Sequence, residues 1–262
     1  MLELVDTHRH PCPEADETSC AIPADVRLAD AVVCACGADD FDLVRQCARR
    51  GGLHYALGVH PMQLRTSCDM AREIDAMRSA LANNLNDPLL AAVGEIGLDA
   101  YPGAAALTLD DQSVLFEAML EAASENELPV SVHSRRALHR VMPLLKKYRV
   151  TGVLHAFAGS YEQALQCLTL GFKLGFGPAL TYEGSRRIRD VFARLPEDAF
   201  VLETDAPFML TQTRRSAGAC RCAPGDLSEV LEAAAQVRGV SRERAAQLST
   251  QNALAVFARL RH

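Results

Sequence analysis

The sequence predicts an α/β fold, a single (β/α)8 TIM barrel with a metal site at the C-terminal ends of its strands. Three observations lead there. Short apolar, strand-like runs alternate with helical patterns along the 262 residues, as a parallel sheet with covering helices requires. Hydrophobic residues make up 49% of the chain, yet aromatics are only 5% and tryptophan is absent. The core must then be built from Ala, Val, Leu and Ile, which suits strands covered on both faces. Finally, His8 and His10, Glu95, His133, His155 and Asp205 fall at the ends of the runs LELVD, LLAAV, LPVSV, TGVL and AFVLE. Side chains that end separate parallel strands converge at one mouth of a barrel. A doubly wound open sheet is the rival fold, but it would not bring these residues into one ring.

The strand-like runs cover about 2–6, 31–36, 53–59, 89–95, 128–133, 151–155, 171–176 and 199–204. Helical patterns lie between and after them: FDLVRQCARR, MAREIDAMRSALANNL, LTLDDQSVLFEAMLEAASENE, RALHRVMPLLKKY, YEQALQCLTLG, SRRIRDVFARL, LSEVLEAAAQVRG and RERAAQLSTQNALAVFARL. In the third of these, Val114, Leu115, Met119, Ala122 and Ala123 are spaced as one apolar stripe. Gly171 reads as a helix C-cap, and Pro88 ends its helical segment. No Ser/Gly-rich linker divides the chain, so residues 1–262 read as one domain, an ordinary size for this fold.

The net charge of −6 argues against a protein that coats nucleic acid non-specifically, while leaving room for a local basic rim. MLELVDTHRH carries no charged-then-apolar leader, and no run reaches 18 apolar residues. The chain therefore reads as soluble and cytoplasmic, with no membrane partner. Nine cysteines, an odd number with no CxxC, read as reduced thiols. They include two CxC pairs, Cys34/Cys36 and Cys220/Cys222. The second pair, in a polar loop, could oxidise or bind stray metal, but no nearby His or Cys completes a tetrahedral set.

Four imidazoles and two carboxylates have the composition of a divalent-metal site. His8 and His10 are spaced to share one strand face, and Asp6 has the same parity. Glu95, between glycines in VGEIGLD, is a carboxylate that burial tolerates only when it is paired or metal-bound. Its two oxygens could bridge two cations; an ion pair inside the barrel is the alternative. His133 and His155 end adjacent strands, and neutral imidazole suits Zn, Mn and similar ions. Glu203 and Asp205, two apart in LETDAP, share a face while strand geometry holds. One could ligate metal and take a proton from water, the other orient it. The absence of Cys from this set favours a catalytic over a structural metal site. His60, before Pro61, is either a turn residue or a contact to a substrate phosphate oxygen. Asp99 reads as a loop cap or turn. His54, His139 and His262 need no function.

Basic residues gather near the same strand ends: Arg135, Arg136, Arg186, Arg187, Arg189, Arg214, Arg215 and Arg221. Singly they are solvated charges. Together, in an acidic protein, they suggest an anionic substrate, with Arg135 the best candidate to touch a phosphate. No Walker-type or Rossmann glycine motif and no GxSxG elbow is present.

The segments DTHRH, YALGVHP, VGEIGLD, LPVSVHSR, LHAFAGS and LETDAP, in this order from residue 6 to 207, resemble the TatD family of metal-dependent deoxyribonucleases. The QNALAVF tail is also similar, so the likeness covers nearly the whole chain. It implies hydrolysis of phosphodiester bonds in DNA, as single strands or at 3′ ends, in the manner of a 3′-to-5′ exonuclease. It also implies two divalent ions, Mg, Mn or Zn. By this likeness His8, His10, Glu95 and Asp205 hold one ion. Glu95, His133 and His155 hold the other, Glu203 and His60 assist, and Arg135 contacts phosphate. The chain departs from the family pattern at Arg9 and Pro11, in the acidic CPEADETSC, in HAFAGS, and in RCAP (Arg221 to Pro224).

Two other readings compete. A barrel hydrolase of C–N or ester bonds commonly needs a bridging lysine; no Lys ends the fourth or fifth strand here, and Glu95 takes that place. An inactive barrel kept as an interaction module has no need of six convergent ligands. A monomer or weak oligomer is expected.

Overall fold

Eight parallel strands, each paired with the next in chain order, form one sheet. They are β1 (Leu2–Arg9), β2 (Val26–Cys34), β3 (His54–Leu57), β4 (Leu90–Asp99), β5 (Val130–Arg135), β6 (Gly152–Leu154), β7 (Phe172–Phe176) and β8 (Phe200–Leu202). Each overlaps one of the eight strands expected from sequence. The helices are α1 (Phe41–Gly51), α2 (Met70–Asn84), α3 (Leu109–Glu125), α4 (Leu138–Tyr148), α5 (Tyr161–Thr169), α6 (Arg186–Arg194), α7 (Gln212–Ser216), α8 (Leu227–Arg238) and α9 (Arg242–Val256). The computed structural model describes residues 1–11 and 24–261. The acidic stretch 12–20 and His262 lie outside the described residues.

The ring is completed between β1 and β8. Asp205 N–H donates to His8 O (2.9 Å) and His10 N–H to Ala206 O (2.7 Å), while the Thr7 hydroxyl donates to Leu202 O (3.1 Å). Helix α9 serves the same seam with side chains. Ser249 Oγ accepts from Leu202 N–H (2.9 Å), Thr250 donates to Glu3 O (2.8 Å), and Asn252 donates to Phe200 O (2.8 Å). Strand groups that would otherwise lie open at an edge are thus satisfied.

Two apolar layers follow strand alternation. Outward residues such as Ala31, Val33, Tyr55 and Leu57 pack beneath the helices. Inward residues are small: Val5, Val32, Ala56, Ala92, Val153 and Val201, joined by Phe257 and Leu260 from the end of the chain. The terminal turn therefore fills interior space that the small strand residues leave. The Arg259 guanidinium fastens it by donating to the carbonyls of Leu85, Asp87 and Leu90 (3.2, 3.1 and 2.9 Å).

Two local expectations fail. Val114 is 57% exposed: at about 100° per residue it lies on the far side of α3 from Leu115, Met119, Ala122 and Ala123. The same-face reading of Asp6 with His8 also fails. Between Asp6↔Ala31 and Arg9↔Val33, β1 spends three steps against two on β2. This bulge re-aims the side chains beyond it. Asp6 instead accepts from Thr204 N–H (2.9 Å) and the Thr204 hydroxyl (2.6 Å). Burial pushes its carboxyl up to about 6 despite these bonds.

Candidate metal centre

Glu95, 2% exposed near the end of β4, lies at the centre of the mouth. Its Oε1 is 2.9 Å from His133 Nδ1, 3.0 Å from His155 Nε2 and 3.3 Å from His60 Nε2. Its Oε2 is 3.2 Å from His10 Nε2 and 3.4 Å from His8 Nε2. Asp205 Oδ1 closes the second side, 3.4 Å from His10 Nε2 and 3.8 Å from His8 Nε2. The rings of His8 and His155 stack at 3.9 Å. Five strand ends thus bring together all six expected ligands.

Behind the imidazoles stands a second set of partners. His10 Nδ1–H donates to Cys34 O (3.0 Å), and His8 Nδ1 meets Ser131 Oγ (2.8 Å). His133 Nε2 faces Asp99 Oδ2 at 3.1 Å, and His155 Nδ1 faces Glu203 Oε1 at 3.4 Å. The rings of His8, His10 and His133 are each held by one nitrogen and present the other toward Glu95, the arrangement that orients histidine for a cation; His155 presents Nε2 to Glu95, and its Nδ1 faces the Glu203 carboxylate without a hydrogen bond. Ligand atoms of His8, His10 and Glu95, of His8, His155 and Asp205, and of His60, Glu95 and His133 lie within 4.8 Å of one another. This donor set, nitrogen and carboxylate oxygen around a carboxylate with two faces, fits divalent cations.

His60 differs from the other four. Its Nδ1 accepts from Met62 N–H (3.1 Å), so the Nε2 of the neutral ring carries the proton. Burial holds His60 below the ordinary histidine pKa. Its Nε2 points into the site, 3.3 Å from Glu95 Oε1.

The charges are strongly coupled. Burial would raise Glu95, but His60, His155 and His8 hold it well below the usual carboxylate range. Burial would likewise raise Asp205, and the bond to His10 holds it down. In His10, His133 and His155, burial is outweighed by the facing carboxylates, and all three are raised. His8, buried beside His155, is lowered.

Glu203 and Asp205 do not share a face. Strand β8 ends at Leu202, and Asp205 has φ +52°, so strand alternation no longer applies. Asp205 turns toward His8 and His10. Glu203 is fully buried on the β6–β7 side, where its Oε1 accepts from Ala156 N–H (2.6 Å). It reaches the ligands only through His155.

Sequence reasoning missed several contributors. Asp99 does make the expected turn, accepting from Tyr101 N–H (2.7 Å), but its other oxygen supports His133. Its spacing of four from Glu95 on one strand was an available signal. The Cys34 and Cys36 thiols, read as ordinary, lie 3.5 Å from His8 Nδ1 and 3.3 Å from His10 Nδ1. Burial pushes the Cys34 thiol well up. Cys220 is exposed and Cys222 buried, both free thiols. The basic group divides. Arg135, with its side chain 49% exposed, lies over the Tyr101 ring at 3.8 Å, and Arg136 lies 4.8 Å from the same ring. Arg189 is instead bound to Leu180 O (2.5 Å) and Arg214 to Asp226 (2.9 Å), so these two fasten the fold.

The sequence model of one family, TatD related DNase, matches residues 5–258. The chain belongs to this family. Among TatD relatives, the uncharacterized metal-dependent hydrolase YjjV of Escherichia coli K12 is 35% identical over 216 residues, covering 80% of this chain and 81% of YjjV. Human deoxyribonuclease TATDN3 is 30% identical over 272 residues, covering 99% and 96%. The crystal structure of YjjV superposes with a TM-score of 0.83 at 30% identity, over 97% of this chain and 98% of that one. The TatD family thus spans both the barrel and the segments that carry the candidate ligands. No helix among the described residues is long and apolar enough to cross a membrane.

Proposed function

We propose that the protein is a divalent-metal-dependent phosphodiesterase that hydrolyses DNA, taking single strands or 3′ ends as a 3′-to-5′ exonuclease. The observation that carries this reading is Glu95, whose two oxygens face two separate sets of imidazoles. His8, His10, Glu95 and Asp205 would hold one cation, and Glu95, His133 and His155 a second, drawn from Mg, Mn or Zn. Bound there, such ions would supply water that deprotonates near neutral pH and positive charge against the phosphate. Family membership and the name of human TATDN3 support DNA as substrate.

The chain's own residues divide the remaining work. Asp205, at the rim of the pocket, takes the proton that the attacking water gives up. His60 Nε2–H donates to a phosphate oxygen without adding charge, because its ring stays neutral. Arg135, half exposed and braced by Tyr101, pairs with a phosphate oxygen from the solvent side. Glu203 is a positioning residue that orients His155. The seven free thiols among the described residues agree with a reducing, cytoplasmic setting. A single domain acting as a monomer or weak oligomer completes the reading.

The test is a substrate panel with metal-depleted protein resupplied with Mg²⁺, Mn²⁺ or Zn²⁺: single-stranded DNA, RNA, a small phosphodiester, and a set of amides and lactones. DNA turnover that EDTA abolishes and a cation restores is expected. Turnover confined to amides or lactones, or indifferent to EDTA, would overturn the proposal.

A further inference from the structure

Among the described residues only two aromatic rings are strongly exposed, Tyr101 at 41% and Phe208 at 64%. Both stand at the mouth. Tyr101 follows β4 and Phe208 follows β8, strands on opposite sides of an eight-membered ring. Their surroundings differ. Tyr101 is engaged by the Arg135 and Arg136 guanidiniums at 3.8 and 4.8 Å, which makes that side a cationic one. Among the described residues no guanidinium covers Phe208 in this way. Its N–H donates to Asp205 O (2.8 Å), and its ring meets the His10 ring edge-on at 5.0 Å. It is therefore tied by backbone to one candidate ligand and by ring contact to another, with most of its surface facing solvent.

A fixed apolar ring beside a phosphate-cleaving pocket, opposite a pair of guanidiniums, matches the parts of a nucleic-acid strand. The guanidiniums suit the backbone charge and the open ring suits a base face. We infer that Phe208 stacks a nucleobase adjoining the scissile phosphate, and that this contact selects unpaired, base-bearing strands. The inference rests on the phosphodiesterase reading and adds the residue that chooses the substrate. Bases in a duplex are stacked on their neighbours and present no free face, so the ring serves a single strand or a frayed end. Stacking tolerates any base, so no sequence preference follows. In a chain of net charge −6, long-range attraction for a polyanion is weak, which leaves local contacts such as this one to supply recognition.

The test compares oligo-dT with an oligomer of the same length made of abasic tetrahydrofuran units, using the full chain with Mn²⁺. Wild type should prefer oligo-dT in kcat/KM. Phe208→Ala should reduce that preference about 5- to 160-fold, the range that corresponds to ~1–3 kcal/mol per stacked base. Phe208→Trp should retain the preference. Because the natural sequence has no tryptophan, that variant also gives a binding signal independent of turnover: oligo-dT should quench its emission and the abasic oligomer should not. An undiminished preference in Phe208→Ala, or equal quenching by both oligomers, would overturn the inference. Selective quenching without hydrolysis of either strand would sink the phosphodiesterase reading and leave the base contact standing.

Discussion

Gly175 on β7 gives a direct route to the buried Glu203. A methyl group added there would lie 2.1 Å from Glu203 Oε2, 2.8 Å from Cδ and 3.1 Å from Oε1. Ordinary contact begins near 3.4 Å, so the carboxylate must retreat by ~1.3 Å. Glu203 is fully buried and its Oε1 accepts from Ala156 N–H at 2.6 Å. A retreat of that size breaks this bond and draws the carboxylate away from His155 Nδ1, now at 3.4 Å. Losing a charge-assisted bond and leaving a buried N–H unpaired costs about 2 kcal/mol, with overpacking of similar size as the upper alternative. In a chain of this length that lowers Tm by roughly 4–8 °C. Loss of the carboxylate behind His155 should reduce turnover or metal affinity about 10- to 100-fold. The assay is a cycle of wild type, Gly175→Ala, Glu203→Ala and the double variant, read by thermal melting and by turnover. In the Glu203→Ala background the three atoms nearest the added methyl are gone, so its own Tm penalty should shrink while activity stays low. A Gly175→Ala protein with wild-type Tm and turnover, or two strictly additive penalties, would refute the reasoning.

Asp99→Asn keeps the shape of the side chain behind His133 but removes its charge, and should weaken cation binding about 10- to 100-fold in a chelator competition with little change in Tm; unchanged affinity would remove Asp99 from the site. Cation uptake should release protons, because His10, His133 and His155 are all raised above the ordinary histidine value and hold protons that a cation must displace. Affinity should therefore climb as pH rises through and above that value, and calorimetry in buffers of different ionisation enthalpy should count the protons; a pH-independent affinity would contradict the charge picture. Asp6, raised to about 6 by burial, favours folding in its protonated form. That contribution, up to ~3 kcal/mol, is present below pH 4 and is lost as pH rises through 6. Denaturant unfolding of Asp6→Asn at several pH values should lack this component, and a slope equal to that of wild type would argue against it.

The strand count, strand order and metal-type residues could be read from the chain because each depends on local pattern. Apolar runs mark the strands, and a polar residue just beyond a run marks the mouth. What could not be read depends on departures from regular geometry. The bulge in β1 puts the side chains of Asp6 and His8 on different faces, and the positive φ at Asp205 turns it away from Glu203; nothing in residue spacing announces either event. The supporting partners were hidden for another reason. Ser131 and the carbonyl of Cys34 meet their histidines across strands, and only the closed ring sets those distances. Short α7, five residues capped by the Thr211 hydroxyl, is too brief for periodicity to detect.

The central claim is that Glu95 joins both halves of a cation cage on which hydrolysis depends. It is tested most directly by metal content and DNA turnover measured together on Glu95→Ala, with circular dichroism to verify the barrel. Loss of bound divalent metal and of turnover in a folded protein is the predicted result. A folded Glu95→Ala protein that keeps its metal and cleaves DNA at the wild-type rate would contradict it.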